Sequence, residues 1–84
     1  MQKGFNSDVN VKGRMYHVQT EDWGADKSYI MSRIFLNGAV VKSVKQSYEQ
    51  IFSRGPVNSS DAIKVALKNQ HNQILDQLLS GQLA

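Results

Sequence analysis

Residues 28–46 read SYIMSRIFLNGAVVKSVKQ, and this stretch decides the fold. Asn37 and Gly38 stand between two extended runs, and both residue types accept the positive φ angles of a two-residue type I′ hairpin turn. Residues 28–36 are apolar on both faces, which is typical of a strand that has neighbours on either side. Residues 39–46 supply the partner strand. The stretch therefore predicts an antiparallel hairpin whose first strand is either central in its sheet or covered on its second face.

A similar hairpin precedes this one. Residues 5–11 alternate, with Phe5, Val9 and Val11 on one face and polar residues on the other. Lys12-Gly13 supplies a tight turn, and residues 14–20 alternate again. Residues 21–27 are polar and are predicted to form a loop. Together the two hairpins predict a four-stranded antiparallel sheet over residues 6–46.

The remainder of the chain is predicted to be helical. Residues 47–53 suit a short helix or turn, which Gly55-Pro56 would end. Over residues 60–81, apolar side chains recur with helical spacing at Ile63, Leu67, Ile74 and Leu78. A sheet with one apolar face needs a cover, and this stripe supplies it. The sequence therefore predicts a single α+β domain over residues 1–84, in which the sheet is followed by a short helical turn and one long C-terminal helix.

The long helix has a surplus of apolar residues. A helix of roughly 20 residues is about 30 Å long, whereas a six-residue strand spans only ~20 Å. We therefore expect the end of the helix to overhang the sheet, with apolar side chains that another copy of the chain would cover. The side chains in this overhang are Ile74, Leu75, Leu78, Leu79 and Leu83.

Composition narrows the function classes. The chain has 84 residues, no cysteine and a net charge of +3, so disulfides and thiolate metal sites are excluded. It has no apolar run that could span a bilayer and no apolar secretory segment near Met1. The expected location is cytoplasmic, with no membrane association. The basic excess lies between Tyr29 and Arg54.

No motif in the sequence predicts catalysis. His17 and His71 lie in different elements without metal-ligand spacing, and both are interpreted as ordinary structural histidines. Neither glycine pattern that binds phosphate occurs. No serine lies in a nucleophile-elbow pattern. We therefore expect no enzymatic activity, no metal and no cofactor.

Two functions remain as hypotheses. The preferred one is a protein-interaction or assembly module, most simply a homodimer, because apolar surface exceeds what one chain can bury. Its predicted interface residues are Trp23, Tyr29, Met31, Phe35, Leu75, Leu79 and Leu83. The alternative is a small nucleic-acid-binding protein that stacks bases on strand aromatics. Its predicted basic residues are Arg33, Lys42 and Lys45.

Trp23 is the most informative single residue for function. It is the only tryptophan and lies in a polar stretch beside Glu21 and Asp22. Tryptophan in such a place is enriched among binding hot spots. It can equally fold over one end of a small core. Both interpretations remain open from the sequence.

Overall fold

A computed structural model describes residues 4–24, 27–53 and 59–82 of the chain, and it confirms the predicted α+β fold. Over these residues four strands form one antiparallel sheet in chain order, so that the third strand is central, which is one of the two predicted alternatives. A short helix and a long helix follow. The elements are β1 (Phe5–Val11), β2 (Arg14–Asp22), β3 (Tyr29–Leu36), β4 (Ala39–Ser47), α1 (Tyr48–Phe52) and α2 (Ser59–Leu79).

The turns form where glycine permits them. Lys12-Gly13 and Asn37-Gly38 all have positive φ angles, as the two hairpin predictions require. Helix α2 ends at Leu79, and Gly81, whose φ is 83°, follows it and allows a Schellman cap. In this cap the Gln82 N–H donates to the Gln77 carbonyl, and the Gly81 N–H donates to the Leu78 carbonyl. Within the described ranges, no helix is long and apolar enough to cross a membrane.

Strand β2 is longer than predicted. Glu21 pairs with Met31 and Asp22 pairs with Ile30, so the strand continues two residues beyond Thr20. The prediction that the loop begins at residue 21 is therefore wrong. The polar residues of this stretch led to the prediction of a loop. Asp22 is nevertheless buried at the end of a strand, where it has hydrogen-bond partners.

Both helices pack on the same face of the sheet and form two apolar clusters with it. The first cluster consists of Val11, Tyr16, Val18, Ile34, Ile74 and Leu78. The second consists of Ile30, Ile51, Ala62, Ile63 and Leu67. Ile74 and Leu78 are buried within the chain, so the expectation that they overhang the sheet is wrong. The cause is the path of α2 across β1 and β2, which keeps the later turns of the helix over the sheet.

A layer of buried polar side chains separates the two clusters. His71, on α2, is 3% exposed, and its ring hydrogen bonds to a strand hydroxyl on each side. Its Nε2 lies 2.8 Å from the Ser7 hydroxyl, and its Nδ1 lies 2.7 Å from the Thr20 hydroxyl. Thr20 also bonds to Ser32 at 2.7 Å. The Gln70 amide donates to the Ser32 hydroxyl and to the Val44 carbonyl, so the layer extends from β1 to β4.

A second polar contact joins the end of β2 to α1. An Asp22 carboxylate oxygen accepts hydrogen bonds from the Tyr48 hydroxyl and from the Gly24 N–H. Burial and the neighbouring Asp22 carboxylate raise the pKa of Tyr48 to about 12, so the phenol stays a donor at physiological pH. A β-carbon at residue 24 would overlap the Tyr48 hydroxyl, which explains the glycine at this position.

We expect the stability of the fold to decrease as pH falls below about 6.5, the ordinary pKa of histidine. Burial is the larger cause that lowers the pKa of His71 in the folded chain, and electrostatic repulsion by His17 lowers it further. The unfolded chain therefore binds this proton more readily, and protonation favours unfolding. Thermal melts between pH 7.5 and 5.5 should show a falling Tm for the parent chain. In the His71→Gln variant the decrease in Tm over this pH range should be smaller. An equal decrease in both proteins would contradict the role of His71 in this pH dependence.

Candidate functional site

The sheet face opposite the helices is the candidate site, and we call it the open face. Within the described chain no helix packs on it, because α1 and α2 both contact the other side. Strand register assigns its central positions to Tyr29, Met31, Arg33 and Phe35 of β3. Neighbouring strands add residues that include His17, Glu21 and Lys45. The arrangement follows from alternation, since Ile30, Ser32 and Ile34 are buried on the helix side.

Aromatic and basic side chains form a continuous row across this face, which we call the ladder. The Arg33 guanidinium lies between two rings, 5.4 Å from the centroid of Trp23 and 5.8 Å from that of Phe35. The Trp23 ring lies 5.8 Å from the Tyr29 ring, and Phe35 lies 6.0 Å from His17. Lys45 extends the row, with its Nζ 4.9 Å from the Tyr29 ring centroid. The ladder consists of His17, Trp23, Tyr29, Arg33, Phe35 and Lys45.

Backbone hydrogen bonds hold Trp23 against the ladder. The Trp23 N–H donates to the Tyr29 carbonyl at 2.9 Å, and the Lys27 N–H donates to the Trp23 carbonyl at 2.8 Å. Trp23 is half-buried and belongs to neither apolar cluster on the helix side. Its ring therefore contributes to the open face. The hot-spot interpretation of Trp23 stays a prediction.

Charges on the open face are balanced within the chain. An Arg33 Nη2 donates to a Glu21 carboxylate oxygen at 2.7 Å, and His17 Nδ1 lies 2.7 Å from an Asp8 carboxylate oxygen. By strand register the face carries two acidic residues, Asp8 and Glu21, and two basic residues, Arg33 and Lys45. Its formal charge is zero apart from the histidine. The basic excess of the sequence is therefore not concentrated on this face.

The structure brings together only part of each predicted residue set. Trp23, Tyr29, Met31 and Phe35 share the open face, whereas Leu75 and Leu79 lie on α2 at the other side of the sheet. Leu75 is half-buried against the first apolar cluster and Leu79 is 63% exposed. Leu83 lies outside the described residues. Of the predicted basic residues, Arg33 and Lys45 share the open face, but Lys42 pairs with Ile34 and points to the opposite side.

The predicted sets of interface and basic residues do not include His17 and Glu21, although Glu21 is noted in the sequence as a charged neighbour of Trp23. Both lie on β2 at alternating positions that face away from the helices, and this alternation is visible in the sequence. What was missing was the register between β2 and β3, which puts His17 opposite Phe35. Within the described ranges, no three His, Asp or Glu side chains are placed to hold a metal ion.

Comparisons with known proteins identify no relative of this chain. No protein-family model matches the chain, and no curated protein or solved structure matches it either.

We expect Trp23→Ala to lower the free energy of unfolding by only about 1–2 kcal/mol, because it removes one aromatic pair and one cation–π contact. Ile30→Ala is the matched control, since Ile30 is fully buried and such truncations lose about 2–5 kcal/mol. Thermal melts of both variants measure the difference. A Tm decrease above ~15 °C for Trp23→Ala, roughly 3 kcal/mol for a domain of this size, would identify Trp23 as part of the core.

Proposed function

We propose that the chain is a protein-interaction module that self-associates through the open face of its sheet. The observation that carries the proposal is the ladder, which leaves four aromatic rings and an arginine on a face that no described helix covers. Trp, Tyr, Phe, Met and Arg are the residue types enriched in protein interfaces, and Trp, Tyr and Arg dominate binding hot spots. The cytoplasm is the proposed place of action.

The ladder is suited to binding because its side chains are held before a partner arrives. Arg33 is fixed by two rings and by Glu21, and Trp23 is fixed by Tyr29 and by backbone hydrogen bonds. Ordering a free arginine or lysine side chain on binding costs about 0.5–1.5 kcal/mol. A preorganised ladder avoids much of this loss, which favours association.

Charge distribution supports a second copy as the partner. The acidic residues Asp8 and Glu21 lie on β1 and β2, while Arg33 and Lys45 lie on β3 and β4. A twofold axis parallel to the strands, between two facing sheets, places β1–β2 of one copy over β3–β4 of the other. By strand register, Glu21 of one copy then lies over the part of β3 that carries Met31 and Arg33 in the other copy, so one pair of opposite charges per copy can form beside the aromatic rings. Aligned sheet packing of this kind is common, with about 10 Å between the sheets.

The size of the face predicts a weak dimer. Four strands about 4.8 Å apart and eight residues long cover roughly 500 Å² in projection. Stable interfaces bury about 800 Å² per partner, so this contact lies at the low end of specific association. We therefore expect a dissociation constant in the micromolar range, and measurements belong at tens to hundreds of micromolar protein.

Nucleic-acid binding receives less support from the open face. Nucleic-acid affinity depends on cations that neutralise phosphates, and this face has no net charge from its carboxylate, lysine and arginine residues. The guanidinium of Arg33 is already engaged by Glu21, and Lys42 points to the other side of the sheet. A base that stacked on the side of Trp23 or Phe35 facing Arg33 would also displace the guanidinium from that ring.

We expect Met31→Glu to weaken the dimer by more than tenfold, because it places a charge at the centre of the proposed contact. Met31 is half-buried on the open face and lies outside both apolar clusters, so the fold should be retained. Leu79→Glu is the matched control, with the same new charge on an exposed leucine of α2. Sedimentation velocity over a concentration series, with circular dichroism to verify folding, measures the effect.

Three outcomes would contradict the proposal. A parent chain that is monomeric at several hundred micromolar would exclude self-association. Loss of the dimer in Leu79→Glu but not in Met31→Glu would move the interface to the late helix. Binding of a single-stranded oligonucleotide that weakens steeply between ~50 and ~200 mM salt would favour the nucleic-acid alternative.

A further inference from the structure

A groove runs between β4 and α2 on the helix side of the sheet, away from the open face. Its volume is about 550 Å³, within the size range of ligand-binding clefts. Helix α2 lies mainly over β1 and β2, and this path leaves space beside β4. The apolar part of the groove is formed by Ile51, Ala62, Val65 and Ala66, and its α2 wall continues with Asn69 and Gln73. Val65 is 56% exposed.

Strand β4 borders this groove as an edge strand of the sheet. A bulge leaves Val41 without a direct partner, since Phe35 pairs with Val40 and Ile34 pairs with Lys42. From Lys42 to Ser47 the pairing with β3 is regular. Half of the backbone groups in this six-residue run therefore point away from β3, and of these the Ser47 N–H already donates to the Gln50 side chain. Such a run is the usual template for the addition of an extended peptide.

The groove occupies the space into which a fifth strand would direct its side chains. Alternate residues of a strand beside β4 would face the helices and enter the groove. The small side chains of Ala62 and Ala66 leave room for them, and Val65 and Ile51 supply apolar contacts. Backbone pairing and side-chain burial can therefore occur together at this edge.

Charge selects the partner. Lys42 and Lys45 lie on the regular run of β4, which has no acidic residue, and Asp61 lines the opposite wall of the groove. Two β4 strands from two copies would bring lysines together, which disfavours a second copy here. Lys45 projects to the open face, so acidic residues on that side of an added strand would meet it. On the other side of the added strand, small apolar residues would contact the apolar part of the groove at Ala62, Val65 and Ala66.

We propose that β4 and the groove bind an extended segment of another protein in which small apolar and acidic residues alternate. The segment adds as a fifth strand next to β4, with its apolar side chains against α2 and its acidic side chains beside Lys45. The groove side of this site lies across the sheet from the proposed dimer contact, since Val65 and Asn69 lie on α2. Lys45 belongs to both sites, because it lies on β4 and also contacts the Tyr29 ring.

The probe is a fluorescein-labelled nine-residue peptide of alternating valine and glutamate, titrated into the full chain by fluorescence anisotropy. A peptide of alternating valine and lysine is the charge control. We expect the acidic peptide to bind at least tenfold more tightly than the basic one. We also expect it to protect from hydrogen exchange the β4 amides between Lys42 and Ser47 that point away from β3.

Two variants locate the site. Val65→Glu places a charge in the groove, and Asn69→Trp fills the groove without changing charge, so each should weaken binding at least tenfold. Leu79→Glu, with an equal charge on an exposed leucine near the end of α2, should leave the affinity unchanged. Circular dichroism verifies that each variant is folded.

Several results would overturn this site. These results are the absence of binding at millimolar peptide concentration, equal affinity for the acidic and the basic peptide, and an affinity that neither Val65→Glu nor Asn69→Trp changes. Loss of the dimer in Val65→Glu would instead identify a second copy as the occupant of the groove. Failure of the dimer experiment alone leaves the peptide result unaffected, because the two sets of variants lie on opposite sides of the sheet.

Discussion

The hydrogen bonds of His71 determine how the helix and the sheet fit together. Apolar contacts between α2 and the sheet are not directional, and a shift of α2 by one turn would still bury leucine and isoleucine. His71 removes that freedom because its two ring nitrogens need Ser7 on β1 and Thr20 on β2 at the same time. A shifted helix would leave these groups buried without partners, and each such loss costs about 1–3 kcal/mol. Buried polar groups of this kind are best known for specifying register.

The direction of the hydrogen bonds explains why the layer acts as a unit. Gln70 donates to Ser32, so the Ser32 hydroxyl is free to donate to Thr20, and Thr20 can donate to His71 Nδ1. The remaining nitrogen, Nε2, then carries the proton toward Ser7. This assignment gives Ser32, Thr20 and His71 each a donor and an acceptor role with a neutral imidazole, while Gln70 is the first donor and Ser7 the last acceptor. A protonated ring would need the Thr20 hydroxyl to reverse, in addition to the loss of hydration that lowers the pKa of His71.

Much of the fold follows from local rules, whereas the candidate surfaces depend on long-range register. Three local signals each predicted an element correctly. They are the turn residues Lys12-Gly13, the turn residues Asn37-Gly38, and the helical spacing of Ile63, Leu67, Ile74 and Leu78. Asp22 was misplaced because its partner Tyr48 is 26 residues away, and no local rule reveals that contact. Helix length was predicted well, but its path over β1 and β2 was not, so Ile74 and Leu78 were expected to overhang. The groove beside β4 depends on that same path, and for this reason the sequence did not reveal it.

The buried layer also determines what the open face displays. In a strand, each residue that points inward separates two that point outward, so Ser32 in the core lies between Met31 and Arg33 on the surface. A slip of β3 by one residue would place Arg33 among the isoleucines and expose Ile34. The Thr20–Ser32 hydrogen bond opposes this slip from inside, as the Arg33–Glu21 pair does from outside. Because the two faces share one register, polar residues in the core fix the spacing of the aromatic rings on the opposite side of the sheet.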